Sequence, residues 1–450
     1  MAKFAKSSVP QFSVDVYQNE FLPEGGREVN AIVTVTSTGG GAVGGAVAAP
    51  QFYAAGRGAD AAVALMVDCS GSMDYPPTKM RNARDATAAA IDALRDGVHF
   101  AVIGGTHVAK EVFPGNGRLA VADAQTRDQA KQALRKLSAG GGTAIGTWLR
   151  LADRLLWAAD VPASSVRHGI LLTDGRNEHE SPEDLKAALD ACAGRFTCDA
   201  RGVGTDWEVK EVTGIASAML GTADIVADPA GLAADFTRMM ETAMGKEVAD
   251  VALRLWTPLG AEIKFVKQVA PTVEELTDRR VEVGPRAGDY PTGSWGDESR
   301  DYHVCVQVPN AELGQEMLAG RVSLVIPGAD GGAQTLGQGL VRAVWTDDMT
   351  ASTSINPQVA HYTGQAELAQ VIQQGLDARK AGDADGATAK LGRAVQLAAA
   401  SGNADTAKLL SKVVDVVDAA EGTVRLKAKV AEADEMTLET RSTKTVRVKK

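Results

Sequence analysis

The chain has 450 residues, 45% of them apolar, and a formal net charge of −10. Such a length requires several domains of roughly 100–200 residues each. The acidic balance argues against a general nucleic-acid binder, which needs clustered Lys and Arg against phosphate.

Met1–Pro10 carries positive charge with no apolar run behind it, so no signal peptide is expected. No apolar run reaches the length of a membrane span. Cys69, Cys192, Cys198 and Cys305 are too few for a disulfide framework, and no C-x-x-C suggests a zinc ribbon. The expectation is a cytoplasmic protein with reduced thiols packed as small apolar groups. In an oxidising compartment Cys192 and Cys198 would be the pair to bond.

In chain order, Phe12, Val14 and Val16 alternate with polar residues, and Ile32 to Thr36 is a β-branched run; both read as strands. Gly39 to Pro50 is small and Gly-rich and reads as a flexible loop. From Ala61 to Val67 the run is continuously apolar, as in a central parallel strand buried on both faces. Helices are expected over 77–94, 123–137, 145–159, 183–191, 208–219 and 233–244. Strands are expected over 98–103, 108–113, 168–173, 197–203 and 225–227. Strands alternating with helices in this way predict a doubly wound, Rossmann-like α/β domain over 60–246.

Over 247–350 the helical signal fades. Ala252–Trp256, Ile263–Val266, Val281–Val283, Tyr302–Val308, Arg321–Ile326 and Leu340–Trp345 are strand-like between Pro and Gly turns, which predicts a β-sandwich. The strands of segment 1–55 need a sheet to join, so they are expected to complete that sandwich, with the α/β domain inserted into it or joined to it. Residues 356–422 are Ala-rich with an apolar stripe of Leu368, Val371, Ile372 and Leu376, predicting a C-terminal helical bundle, a hairpin or three-helix unit. The fold class is therefore multidomain, α/β plus all-β plus all-α. The polar, Thr-rich segment 433–450 reads as a flexible tail.

Five residues carry the chemistry. Asp68, Ser70 and Ser72 lie in Asp68-Cys69-Ser70-Gly71-Ser72, Thr143 in Gly141-Gly142-Thr143, and Asp174 in Leu171-Leu172-Thr173-Asp174-Gly175. The alternate spacing lets three side chains converge from one short loop, and Gly71 lets that loop turn tightly. The loop joins the first strand to the first helix, and Asp174 follows another strand. Ligands of open α/β sheets sit at that carboxyl edge. Small hard cations such as Mg²⁺ prefer such oxygen donors.

Together the pieces resemble the metal-ion-dependent adhesion site of a von Willebrand factor A domain, over about residues 60–245. The resemblance implies that Ser70, Ser72 and Thr143 bind the ion directly and that Asp68 and Asp174 bind it directly or through water. It implies Mg²⁺, with Mn²⁺ or Ca²⁺ as substitutes, and one position left for a partner's Asp or Glu carboxylate. The organisation also resembles bacterial A-domain proteins of actinobacterial type. These accompany Ser/Thr kinases and forkhead-associated-domain proteins, so Thr437, Thr440, Thr443 and Thr445 are candidate phosphoacceptors.

Asp74, Glu178, His179 and Glu180 follow the metal loops as candidate rim residues, but charge runs of this kind are usually solvated loop charge, which is the favoured reading. No P-loop, His-Glu-x-x-His or Gly-x-Ser-x-Gly motif occurs, and no general base is evident. The expectation is a non-enzymatic, Mg²⁺-dependent protein–protein interaction module without membrane insertion. The alternative is a non-catalytic subunit of a chelatase-like or AAA-type machine.

Overall fold

The computed structural model describes residues 10–38, 60–328 and 332–448. The segment Gly39–Pro50 lies outside the described residues. The chain divides into two compact units, whose described parts are residues 60–249 with 293–296, and residues 10–38, 250–292, 297–328 and 332–448.

The first unit is a doubly wound α/β domain. Its central strand Ala61–Asp68 is buried along its whole length, which is why its sequence shows no polar alternation. It runs parallel to His99–Gly105 on one side and to Val166–Thr173 on the other. Thr197–Val203 and Ala223–Val226 extend the sheet beyond Val166–Thr173 in parallel. Ala109–Phe113 closes the opposite edge as an antiparallel hairpin partner of His99–Gly105. Helix starts follow local capping chemistry: Asp123 and Thr126 form a capping box for Ala124–Leu134, and Ser181 accepts from Asp184 N ahead of Pro182–Cys192.

The second unit holds two antiparallel-rich sheets packed face to face. In one, Glu28–Thr38 lies between Gln11–Gln18 and Glu298–Gln307, so strands from before and after the α/β segment share a sheet. The other contains Val248–Trp256, Glu316–Pro327 and Ala333–Trp345. Gly337 and Gly339 leave room for Val14 and Val16 of the facing sheet. Ala287–Trp295 is a further strand that sequence reading passes over, because Gly288, Pro291 and Gly293 punctuate it.

Helices Pro357–Lys380, Ala384–Ser401 and Ala404–Val413 follow. The helical reading of 356–422 needs correction at its end. Val414–Asp418 and Thr423–Leu426 form a hairpin, because the β-branched Val413, Val414, Val416 and Val417 end the helix and Gly422 takes φ +69° at the turn. The flexible-tail reading of 433–450 also needs correction over its described part, residues 433–448: Glu432–Arg441 is a helix, with Leu438 in one core with Leu376, Leu391 and Leu410. Its polar composition hid a few well-placed apolar anchors.

All four cysteines are free and buried. Burial pushes the Cys69 thiol up to about 12 and those of Cys192 and Cys305 to about 11; Cys198 is also raised. Native protein at pH 8 is therefore expected to be nearly inert to a thiol-reactive dye, with all four cysteines reacting after denaturation. Fast labelling of the native chain would refute this packing.

Candidate metal centre

Sheet order reverses at the central strand: helix Thr78–Asp92 leads from it to His99–Gly105, whereas Val166–Thr173 pairs on its other side. Such a switch point opens a crevice at the carboxyl ends of two adjacent parallel strands. Asp68 is the last residue of one strand, and Asp174 directly follows the other.

Backbone bonds stitch three loops together there. Cys69 N donates to Gly105 O (2.7 Å), Gly140 N to Cys69 O (2.8 Å) and Gly71 N to Gly141 O (2.9 Å). Gly141 takes φ +83°, which a glycine supplies without strain. Beneath them the fully buried Trp148 lies against Gly105, where any Cβ would meet its indole, and Trp148 Nε1 donates to Thr106 O (2.6 Å). Asn177 Oδ1 accepts from Ile145 N (2.8 Å) and Glu180 Oε2 from Gly146 N (2.9 Å), capping the helix that starts after Thr143.

The five sequence-predicted residues converge. Ser70 N donates to Asp68 Oδ1 (2.7 Å), Ser70 Oγ and Ser72 Oγ are 2.9 Å apart, and Ser72 Oγ donates to Asp174 Oδ1 (2.7 Å). Thr143 Oγ1 faces the same space: a Cβ on Gly175 would lie 3.1 Å from Ser72 Oγ and 3.9 Å from Thr143 Oγ1. Glycine at 175 thus keeps this cradle open.

Both carboxylates have 0% exposure. Burial pushes the Asp68 carboxyl above its usual range and the neighbouring Asp174 charge adds to this, against the opposing hydrogen bonds of Ser70 and Thr173. Thr173 Oγ1 donates to Asp68 Oδ2 at 2.7 Å. Lys79, 6% exposed, reaches Asp174 Oδ2 (2.7 Å) and Asp206 Oδ2 (3.1 Å). Burial works against the Lys79 charge, but its bonds to Asp174 and Asp206 outweigh it and raise the ammonium above its ordinary value. One ammonium leaves two buried carboxylates short of positive charge, and buried charge needs compensation. The donor set, three hydroxyls and two carboxylates around an open cradle, fits a hard divalent cation. No group of three or more His, Cys, Asp or Glu side chains is placed to hold a metal among the described residues.

Lys79, Thr173 and Asn177 escaped the sequence reading. Lys79 did leave a trace, since a cation in the first turn of a helix opposes the helix dipole and needs a reason to be there. Of the candidate rim, Glu180 is a helix-capping residue. His179 lies over Gly142, with its Nδ1 3.3 Å from Thr143 N, and His107 stands on the other side, their ring centres 6.5 Å apart. Asp74 and Glu178 are exposed. His168 pairs with Asp199 (2.9 Å) near the amino end of its strand, five residues from the carboxyl end that carries the site.

The family model of the von Willebrand factor type A domain matches residues 61–225, and that of the von Willebrand factor type A C-terminal domain matches residues 396–442. No curated protein matches the chain. Among solved structures, the von Willebrand factor type A protein from Catenulispora acidiphila is 52% identical, with 99% of each chain covered and a TM-score of 0.91. The ArnB paralog VWA2 from Sulfolobus acidocaldarius is 13% identical, covering 96% of this chain and 98% of that one, with a TM-score of 0.59; it shares the fold.

Proposed function

The chain belongs to the von Willebrand factor type A family, and from this premise we propose that it is a non-catalytic module that grips a partner protein's Asp or Glu carboxylate through a divalent cation. Domains of this family generally mediate protein–protein interaction. The ion, Mg²⁺ with Mn²⁺ or Ca²⁺ as substitutes, would be held by Asp68, Ser70, Ser72, Thr143 and Asp174, and when bound it supplies a Lewis-acidic contact for the carboxylate. The observation that carries the reading is the convergence of two fully buried carboxylates with three hydroxyls around the space that Gly175 leaves open.

The chain's own residues organise this site. Thr173 and the Ser70 N–H occupy both oxygens of Asp68 and fix its carboxylate plane. The hydroxyls are neutral donors, so the ion keeps its charge for the partner. Four free cysteines accord with a reducing compartment such as the cytoplasm. No helix among the described residues is long and apolar enough to cross a membrane.

Of the four tail threonines, Thr440 and Thr445 have side chains tied into the fold. Thr440 is buried with Oγ1 on Met436 O, and Thr445 Oγ1 donates to Val269 O. A kinase would reach the buried Thr440 only by opening this segment, whereas Thr437, Thr443 and Thr445 are partly exposed; phosphorylation is no part of the support for the reading.

The test is capture from the source cells on immobilised protein. Partners are expected to be retained in Mg²⁺, released by EDTA, and absent from an Asp174→Ala column. Retention that ignores both EDTA and the substitution would overturn the reading. A Ser/Thr kinase or forkhead-associated-domain protein in the eluate would extend it, whereas an ATPase would favour the chelatase-like or AAA-type alternative.

A further inference from the structure

We propose that Lys79 is a built-in counter-cation of the metal centre: it weakens binding of the divalent ion and in exchange leaves the loaded centre with the positive charge that draws a partner's carboxylate. The inference rests on the metal-site reading above and deepens it.

The argument starts from charge. Asp68 and Asp174 carry two negative charges with no exposure to water. A divalent cation alone would neutralise them and leave an anionic partner little to be attracted by. With Lys79 in the same buried cluster, the loaded centre carries one net positive charge. Asp206 does not cancel it to the same degree, because its side chain is 70% exposed and screened by water.

Geometry supports an electrostatic role rather than a packing one. Lys79 Nζ takes Asp174 Oδ2, whereas Asp174 Oδ1 faces Ser72 and the cradle. The lysine therefore occupies one carboxylate oxygen and leaves the other towards the ion. Its place in the first turn of helix Thr78–Asp92 is unfavourable for a cation, so the helix itself does not explain it. The charged groups that face the ammonium are Asp174 and Asp206, both from loops at the carboxyl edge of the sheet. Like charges near a bound ion repel it, and in a buried site that repulsion is only partly screened.

The two effects have opposite signs, which makes the idea testable with the full chain. Mn²⁺ serves as the metal, with binding followed by loss of the free-ion paramagnetic signal. Acetate serves as the carboxylate probe, titrated into Mn²⁺-loaded protein and followed by water-proton relaxation. Lys79→Met is expected to bind Mn²⁺ at least about tenfold more tightly, roughly 1.4 kcal/mol, and acetate several-fold more weakly. Lys79→Gln, which keeps a neutral donor for Asp174, is expected to behave like Lys79→Met and serves where the methionine variant unfolds. Lys79→Arg keeps the charge and should retain wild-type values for both ligands.

Equal or weaker Mn²⁺ affinity in the neutral variants would overturn the inference, as would an arginine variant that behaves like the methionine one. Wild-type protein that binds no Mn²⁺ would instead sink the metal-site reading itself.

Discussion

Asp68→Asn is expected to uncouple the stability of the protein from divalent cations. A ligand that binds only the native state stabilises it by about 2.7 kcal/mol at roughly a hundredfold excess over its Kd. In wild-type protein this gain should appear in the unfolding midpoint as Mg²⁺ replaces a chelator. The asparagine variant should show almost none of it, because a formal charge and one hard oxygen leave the centre together.

The loop itself should survive this change. Asn offers an acceptor to Ser70 N, and the Thr173 hydroxyl can turn to accept from the side-chain amide. In chelator the variant should be at least as stable as wild type. Burial already pushes the Asp68 carboxyl up, and the charge of Asp174 pushes the same way. Removing a buried charge that lacks full compensation relieves a cost. Denaturant melts of both proteins in EDTA and in Mg²⁺ supply all four values. An equal Mg²⁺ gain in the two proteins would exclude Asp68 from the centre. A clearly less stable variant in EDTA would mean that Lys79 and the hydrogen bonds already compensate its charge.

The same chain shows why some features could be read from sequence and others could not. Ala61–Val67 declared itself because a strand buried on both faces has no polar residue to disguise it. The five donors were legible because short strand-end loops fix their spacing locally: Asp68, Ser70 and Ser72 lie within one turn, and Asp174 follows its strand directly. What supports them was not legible. Thr173 looks like an ordinary strand residue until Val166–Thr173 is placed beside Ala61–Asp68. Lys79 becomes a partner of Asp174 only across 95 positions of sequence. Asn177 and Glu180 read as loop polarity until the helix starting at Ile145 is brought above them. Contacts set by tertiary approach leave little periodic trace.

Composition misled most at the carboxyl end. A polar, Thr-rich stretch lacks the apolar content to fold alone, so disorder is the natural expectation. Met436 and Leu438 are nonetheless buried, and Glu439 joins them with Lys380 at 2.7 Å. Helix stability in proteins comes mostly from tertiary packing, and a few anchors suffice when a surface awaits them.

That correction has a large consequence: Arg447→Ala is expected to destabilise the second unit by about 3 kcal/mol. Arg447 Nε and Nη2 form a two-pronged pair with Asp301 at 2.9 and 2.8 Å. Asp301 is 2% exposed and also accepts from Thr34 Oγ1 (2.6 Å) and from the Tyr362 hydroxyl. Without the guanidinium, a buried carboxylate keeps its desolvation cost and loses the only cation bonded to it among the described contacts. Water reaches the half-exposed Arg447 side of the pair, so the loss belongs at the low end of the range for broken buried pairs.

Truncation after Ser442 should cost more. It also removes the Val273 N to Thr443 O and Thr445 N to Pro271 O bonds (2.8 and 3.0 Å) and the packing of Val448 on the cluster of Ile32, Val269, Val359 and Tyr362. Scanning calorimetry of wild type, Arg447→Ala and the truncated chain measures the series. The double variant Asp301→Asn with Arg447→Met separates the causes. If the stranded charge dominates, the double variant should recover much of the loss seen in Arg447→Ala. If the end of the chain behaves as a free tail, Arg447→Ala and the truncated chain will melt with wild type, and the docking of residues 443–448 is wrong.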